Sequence, residues 1–277
     1  MIKPLDYFAA LVRQDNSIPL FEAAVSLAQD VDPDIDLGAV QADVDLLAAR
    51  LRKRISIDAG QVQKVQMLNQ YFYRELGFAS NVNNYYDPDN SYLHRVLKTR
   101  RGIPISLAMV YVEMAQQIGL EVKGISFPGH FLMKLSIPPG DIILDPLNGE
   151  SLSREELEER LEPYVEQIRR AGKPLAEYLD AAPARDILVR MLRNLKSLFL
   201  DQTRWQKLLD VQQRLLVLLP GDITERRDRG LAFSYLDCPQ AALEDIQAYL
   251  AQRPYAADAE ELRNKLPNLK LACRKLN

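Results

Sequence analysis

The chain has few of the residues on which disulfide frameworks and metal sites depend. Its 277 residues include two cysteines, Cys238 and Cys273, and two histidines, His94 and His130. Neither cysteine belongs to a spaced set of cysteines or histidines, so the sequence predicts reduced thiols and no metal site. Phosphate loops and dinucleotide fingerprints are also missing. We therefore predict that the protein uses no metal and no cofactor.

A large excess of charge of one sign and long apolar runs are likewise missing. The net charge is only -3 at pH 7, whereas proteins that bind nucleic acid or anionic membranes usually carry a marked basic excess. No apolar run approaches the roughly 18 residues of a membrane span. The amino terminus, MIKPLDYFAALVRQD, lacks the apolar core and cleavage site of a signal peptide. These features predict a cytoplasmic protein that binds neither nucleic acid nor membrane.

Apolar residues at helical spacing fill the first quarter of the chain. Leu5, Phe8 and Val12 recur at three and four residues, and similar runs continue to about Gly77. A turn that contains Asp36 supplies a capping oxygen for a helix start. The sequence therefore predicts a small N-terminal helical layer.

The periodicity changes in the middle of the chain. The apolar segment from Ser106 to Ile118 predicts a helix. Three extended segments follow it, at Val122–Phe127, His130–Leu135 and Ile142–Leu144. A helix followed by antiparallel strands predicts an α+β core.

Two features mark the end of this core. Ser153 and Glu156 have the spacing of a capping box, which predicts a helix that runs to about Ala171. The residues from Gly172 to Ala184 then have the composition of a linker. We accordingly predict one domain over residues 1–172 and a second over residues 183–277.

The second predicted domain contains a period of 34 residues. Phe199 superposes on Phe233 and Pro220 on Pro254, which matches the tetratricopeptide pattern of paired helices. We therefore predict helical hairpins throughout this region, with a protein partner as their ligand. Trp205 and Tyr235 lie among apolar neighbours at helical spacing, which predicts packing roles for both rings. Exposure of either ring in a groove would instead favour partner binding.

Three residues of the core are placed where acyl-transfer chemistry needs them. Ser106 lies near a helix start, His130 follows a Pro-Gly turn, and Asp145 ends a strand. A nucleophile at a helix start lies beside free amides that can hold an oxyanion. A histidine on a neighbouring strand can act as its base, and a carboxylate can fix the tautomer of that base.

The segments that carry these residues, GIPISLAMVYVEMAQQIGLEVKGISFPGHFLMKL and IILDPLNG, resemble the transglutaminase-like core, a papain-like helix-plus-antiparallel-sheet fold. In that superfamily a nucleophile opens the helix, a histidine begins a strand and an aspartate ends the next. The resemblance implies that Ser106 is the nucleophile, His130 the base and Asp145 the orienting acid. The whole chain is similar to the SirB-type bacterial proteins, in which tetratricopeptide-like helices follow this core.

The sequence departs from the superfamily at the nucleophile, where Ser106 stands in place of cysteine. A cysteine can be drawn down to its thiolate by a histidine and a helix end, but serine reacts only when a base removes its proton during attack. Simpler roles fit each position as well. Ser106 is a favoured helix-start residue, Asp145 before Pro146 suits a turn, and His130 suits a strand.

The loop before the site supplies candidate binding residues. Tyr85, Tyr86 and Asn90 precede the helix in sequence and are predicted to line one wall of the cleft. Packing explains the tyrosines equally well. The acidic and amide residues of the same loop predict a turn and helix cap in preference to a calcium loop.

Two functions follow from these patterns. The first is a serine-dependent amide or ester hydrolase or acyltransferase that uses the Ser106, His130 and Asp145 triad. The second is a non-catalytic or regulatory module that keeps the cleft for recognition and binds a protein partner through the helical repeats. The missing cysteine and the added repeats favour the second function.

Overall fold

A computed structural model of the chain describes residues 3–138, 140–166, 172 and 174–276. The chain folds as two compact units. We call Gln14–Met191 the core unit, and we call Leu192–Asn277 together with the first thirteen residues the repeat unit. Helices surround a small antiparallel sheet in the core unit, so the fold class is α+β, as predicted.

The N-terminal layer of the core unit is helical, as the periodicity predicts. Its helices are α2 (Leu20–Ser26), α3 (Leu37–Arg52) and α4 (Gln61–Asn69). The Asp36 carboxylate accepts the Ala39 amide at 3.0 Å and so caps α3. A π-helical turn, Gln70–Glu75, continues α4. This layer covers the apolar helix at the centre of the unit, since α3 packs against that helix.

The central helix is α6, Pro104–Gln117, which follows α5, Leu93–Thr99. A two-stranded parallel ladder pairs β1, Ala79–Ser80, with β2, Arg101–Gly102. The predicted start of α6 at Ser106 is wrong by two residues. Proline is favoured at the first position of a helix, because its missing N–H would have no partner there.

The main sheet has the order β3-β4-β5 and is antiparallel. Its strands are β3 (Val122–Ile125), β4 (Leu132–Ile137) and β5 (Gly140–Leu144). Apolar side chains of the sheet pack against Leu157 and Leu161 of the next helix. The predicted strand start at His130 is wrong, because residues 127–130 form a turn that the His130 amide closes on the Phe127 carbonyl at 3.2 Å.

Helix α7, Arg154–Leu161, begins with the predicted capping box. The Ser153 Oγ accepts the Glu156 amide at 3.2 Å, and the Glu156 carboxylate accepts the Ser153 amide at 2.7 Å. Residues 167–171 of the predicted helix lie outside the described part of the chain. A short helix, α8 (Leu175–Tyr178), occupies part of the predicted linker, so the linker is not wholly irregular.

The repeat unit is helical, and residues 184–276 contain no strand. Helix α9, Ala184–Asp201, starts in the core unit and ends in the repeat unit. The helices that follow it are α10 (Trp205–Leu218), α11 (Ile223–Tyr235), α12 (Pro239–Gln252) and α13 (Ala259–Leu276). The prediction of helices throughout this region is confirmed.

Helix α1, Pro4–Leu11, groups with the repeat unit, whereas the predicted boundary placed it with the core. The reason is packing. The Phe8 ring is fully buried, and the guanidinium of Arg214 lies 4.9 Å from its centroid. Burial of one aromatic ring removes a large apolar area from water, and no periodicity in the first thirteen residues shows which unit provides that burial.

Among the described helices, none has the length and apolar character needed to cross a membrane.

Candidate functional site

His130 and Asp145 meet at the edge of the sheet. His130 lies in the turn before β4, and Asp145 directly follows β5. The His130 Nε2 lies 3.2 Å from Asp145 Oδ1, and Arg160 Nη1 donates to Asp145 Oδ2 at 2.8 Å. The structure therefore brings together two of the three predicted catalytic residues and adds an arginine to them.

The environment of Asp145 keeps its carboxylate ionised. Burial alone would raise its pKa, but hydrogen bonds from His130, the Leu147 amide and Arg160 lower the pKa to about 2. A neutral imidazole that donates from Nε2 to this carboxylate carries its one proton on Nε2 and has Nδ1 as an acceptor. An imidazole in that tautomer can serve as a base or as a hydrogen-bond acceptor.

An arginine from α9 holds the His130 turn. Arg190 donates to the carbonyls of Phe127 and His130, both at 2.8 Å, and to Ser126 Oγ at 2.9 Å. Gly129 in this turn has a φ of 68°, and a Cβ there would meet Tyr164 Oη at 2.1 Å. The turn thus requires glycine for its conformation and for its close approach to the tyrosine.

The turn after Asp145 is held from the helical layer. Tyr73 Oη donates to the Pro146 carbonyl at 3.0 Å, and Asn69 Nδ2 donates to the Gly149 carbonyl at 2.9 Å. Tyr111 Oη donates to Asn69 Oδ1 at 2.7 Å. Burial raises the pKa of the Tyr73 phenol above its usual range, so this hydroxyl remains protonated and able to donate.

Ser106 lies apart from this pair in its bonding. Its side chain is 0 % exposed, its Oγ donates to the Asn90 carbonyl at 2.6 Å, and the same Oγ accepts the Ile103 amide at 3.0 Å. A Cβ at Gly102 would lie 2.7 Å from this Oγ. Of the hydrogen bonds found in the described residues, none joins Ser106 to His130. The geometry matches that of a serine at a helix start whose hydroxyl accepts a backbone amide and donates to a backbone carbonyl.

The residue that opens α6 is Pro104. In the resembled superfamily the nucleophile opens this helix, so the expected placement of Ser106 at that position needs correction. Proline has no nucleophilic side-chain atom, and Ser106 is two residues farther along, inside the first turn. The preference of proline for the first helical position is the sequence signal that indicates this register.

The predicted binding loop is divided between buried and exposed residues. Asn90 is 3 % exposed, and its amide donates to the carbonyls of Asn84 and Tyr85. The Asn90 side chain is therefore engaged in hydrogen bonds that organise the loop. Tyr85 and Tyr86 form an edge-to-face pair with centroids 5.4 Å apart, and both rings are exposed.

Sequence reasoning missed the residues that hold the site. Arg160 and Arg190 lie 15 and 60 residues beyond the atoms that they bond, and Tyr73 lies 73 residues before its acceptor. No local pattern relates such positions.

The described residues contain no group of three or more histidine, cysteine, aspartate or glutamate side chains that could hold a metal ion.

The repeat unit contains a groove with a cavity of about 350 Å³. Trp205 and Tyr235 both line it, with their rings stacked 3.9 Å apart between centroids. Tyr235 packs on Trp205 but is 57 % exposed in the groove, and this exposure favours partner binding over a packing role alone. Tyr235 is the last residue of α11 and lines the groove, where neighbouring side chains cover its ring only in part.

Comparison with known proteins places both parts of the chain in families. Residues 38–193 match the transglutaminase-like superfamily, and residues 195–267 match the tetratricopeptide repeat. A UPF0162 protein of Xylella fastidiosa is 37% identical over 92% of this chain and 91% of its own length. Protein SirB1 of Salmonella typhimurium is 27% identical over 91% of this chain and 93% of its own length. The UPF0162 protein YchA of Escherichia coli is 28% identical over 92% of this chain and 94% of its own length. No solved structure matches.

Proposed function

The chain belongs to the transglutaminase-like superfamily, and on this premise we propose that it is a non-catalytic or regulatory protein-binding module. One observation carries the proposal: the Ser106 Oγ is buried and bonded to the backbone at Asn90 and Ile103. A serine nucleophile must deliver its proton to a base during attack. Here the proton is directed to a carbonyl, and attack would require the start of α6 to be rearranged.

The helical repeats provide the partner surface in this proposal. Helical repeats commonly bind partners along extended concave faces. The groove of the repeat unit is lined by Leu200 and Tyr235, which are 49 % and 57 % exposed. Exposed large apolar side chains that adjoin in one groove favour an interaction site over a plain solvated surface. We further propose a cytoplasmic protein without affinity for nucleic acid, in keeping with its net charge of -3.

Labelling with a fluorophosphonate tests the non-catalytic part of the proposal, because the reagent modifies activated serines. We expect no adduct at Ser106 when the labelled protein is analysed by peptide mass spectrometry. Ser106→Ala gives the background and should match the wild type. An adduct on Ser106 that disappears in His130→Ala would contradict the proposal.

Quantitative affinity capture with matched variants tests the partner surface. Leu200→Glu places a charge in the groove, whereas Tyr255→Ala removes a ring that is 97 % exposed and does not line the groove. We expect a specific partner to be retained by the wild type and by Tyr255→Ala and to be lost by Leu200→Glu. Equal capture by all three proteins would argue against the groove as the interface.

The pair of His130 and Asp145 favours one second candidate, a serine-dependent amide or ester hydrolase or acyltransferase. Their 3.2 Å contact supports this candidate, because a base and its orienting acid are in such contact in a triad. In this candidate Ser106 would be the nucleophile, and the same fluorophosphonate experiment separates the two functions.

A further inference from the structure

The groove of the repeat unit has an aromatic wall. Trp205 and Tyr235 are stacked with an interplanar angle of 6°, and the exposed part of the Tyr235 ring extends the stack into the groove. Leu208 and Leu231 add apolar lining. A flat apolar group would find both a stacking partner and aliphatic contacts here.

The charged side chains that line the groove are paired with one another. Lys196 contacts Asp228 at 2.5 Å, Arg227 contacts Asp228 at 2.6 Å, and Lys265 contacts Glu261 at 3.2 Å. Two carboxylates outside the lining pair with the same cations, since Lys196 also contacts Glu225 at 2.5 Å and Arg227 also contacts Asp258 at 2.6 Å. Each charged side chain of the lining is therefore already in an ion pair, and none is left to pair with a charged ligand. Charge complementarity therefore disfavours a lysine or arginine side chain as the occupant.

One polar atom of the lining has no partner. Gln212 is 1 % exposed and lines the groove, and its Oε1 accepts no hydrogen bond from any residue that the structure describes. A buried acceptor without a donor costs free energy, and a ligand that supplies the donor recovers it. An ionised carboxylate is an acceptor only, so an acidic side chain would leave Gln212 unsatisfied.

We propose that the groove binds a tryptophan side chain presented by a partner protein. The indole stacks on Tyr235, and its Nε1–H donates to the Oε1 of Gln212. This assignment rests on the proposed function as a protein-binding module and names the group that the module recognises. Indole fits on each count, since it is flat, apolar and uncharged and carries one donor and no acceptor. A cavity of about 350 Å³ lies at the lower end of ligand-site volumes, which suits one large side chain.

The chain itself supplies a reporter for this site, because Trp205 is its single tryptophan and lines the groove. Full-length protein labelled with 5-fluorotryptophan gives one ¹⁹F resonance from Trp205. The probe is the peptide acetyl-Gly-Trp-Gly-amide. Its matched control carries 3-benzothienylalanine, in which sulfur replaces the N–H of the ring while the size and flatness of the ring are kept.

We expect the tryptophan peptide to shift the Trp205 resonance in a saturable way and to bind on the order of tenfold more tightly than the benzothienyl peptide. In Gln212→Leu the two peptides should bind with equal affinity. Tyr235→Ala should weaken both peptides, and Tyr255→Ala should leave both affinities unchanged.

Three outcomes overturn the assignment: no shift with either peptide, equal affinities for the wild type, or a preference for indole that persists in Gln212→Leu. Each of them is distinguishable from failure of the proposed function. The proposed function fails if an adduct forms on Ser106 or if Leu200→Glu does not reduce partner capture. Neither measurement depends on indole.

Discussion

At the scale of single residues, the hydrogen bonds of Ser106 favour one of the two roles that its side chain could have. Serine near a helix start suits both a nucleophile and a capping group. The 2.6 Å bond to the Asn90 carbonyl and the close approach of Gly102 place it in the second geometry. The hydroxyl joins the loop to α6, and this bonding accounts for its complete burial.

A cysteine at this position tests that geometry directly. In folded Ser106→Cys we expect iodoacetamide to alkylate the new thiol much more slowly than Cys238, which is exposed, because Ser106 is inaccessible to solvent. Peptide mass spectrometry after timed quenching gives both rates, and urea-unfolded protein supplies the control in which the rates converge. A thiol that reacts faster than Cys238, and that slows when His130→Ala is added, would reveal a working nucleophile position instead.

A second prediction at this scale concerns Asp145, whose folded-state pKa of about 2 lies below its ordinary value of 3.8. Between these values the unfolded chain binds more protons than the folded chain. Ionised Asp145 therefore adds stability above about pH 4, on the order of 2 kcal/mol, and this contribution is lost as the pH falls towards 2.

Urea unfolding of the wild type and Asp145→Asn from pH 7 to pH 2 measures this contribution. We expect the stability difference between the two proteins to be largest at neutral pH and to shrink through the acidic range. Parallel stability curves would show that the hydrogen bonds of Asp145 do not depend on its charge.

The sequence predicts the site only where the signal is local. Pro128 and Gly129 mark a turn before His130, and Pro146 marks another after Asp145, so the two side chains were expected at neighbouring strand ends. Arg160 and Arg190 act across the fold, and their sequence positions carry no pattern that relates them to the site. The register of α6 is set by Pro104, since proline is favoured at the first helical position, and Ser106 therefore lies inside the first turn.

At the scale of elements, the turn from Phe127 to His130 positions the histidine. Arg190 donates to two carbonyls of this turn. A guanidinium can bind two separate carbonyls at once because it has several N–H donors in a fixed plane. The helix α9 thereby fixes a turn between two strands. Tertiary contacts, and not strand propensity, explain why β4 begins at Leu132.

Gly129→Ala tests how tightly that turn is built. Both Gly129 and Gly77 have positive φ angles, but a Cβ at Gly77 would meet no atom within 4 Å, whereas one at Gly129 would meet Tyr164. Gly77→Ala should cost about 1–2 kcal/mol from backbone strain alone. Gly129→Ala should cost roughly 1–3 kcal/mol more because of the clash.

Urea unfolding gives both losses, and a double-mutant cycle with Tyr164→Ala isolates the clash. We expect Tyr164→Ala to reduce the penalty of Gly129→Ala and to leave that of Gly77→Ala unchanged. Equal penalties at the two glycines would mean that the turn and the tyrosine separate at little cost.

At the scale of the whole molecule, periodicity predicts most of the helices but not their grouping into units. The spacing of apolar residues in a helix or strand depends on neighbours a few residues away, so the sequence predicts the α+β core and the paired helices. Helix α1 joins a unit that resumes almost two hundred residues later, through the burial of Phe8 beside Arg214. Such grouping depends on complementary shapes that single-sequence patterns do not encode.

Two matched core substitutions, Phe8→Ala and Phe72→Ala, test this grouping of helices into units. Phe8 and Phe72 are both 0 % exposed, the first in the repeat unit and the second in the core unit. Removing a buried phenylalanine ring costs about 3–5 kcal/mol, and the loss should concentrate where the ring was packed. Hydrogen exchange measured by mass spectrometry should therefore show weakened protection in α10 for Phe8→Ala. For Phe72→Ala the weakened protection should lie in α6, because Tyr111 of α6 contacts the Phe72 ring.

If Phe8→Ala weakened protection in α6 as much as in α10, the assignment of the first helix to the repeat unit would be refuted. Deletion of the first thirteen residues should then reproduce the Phe8→Ala pattern, since Phe8 and Val12 supply the buried side chains of that segment.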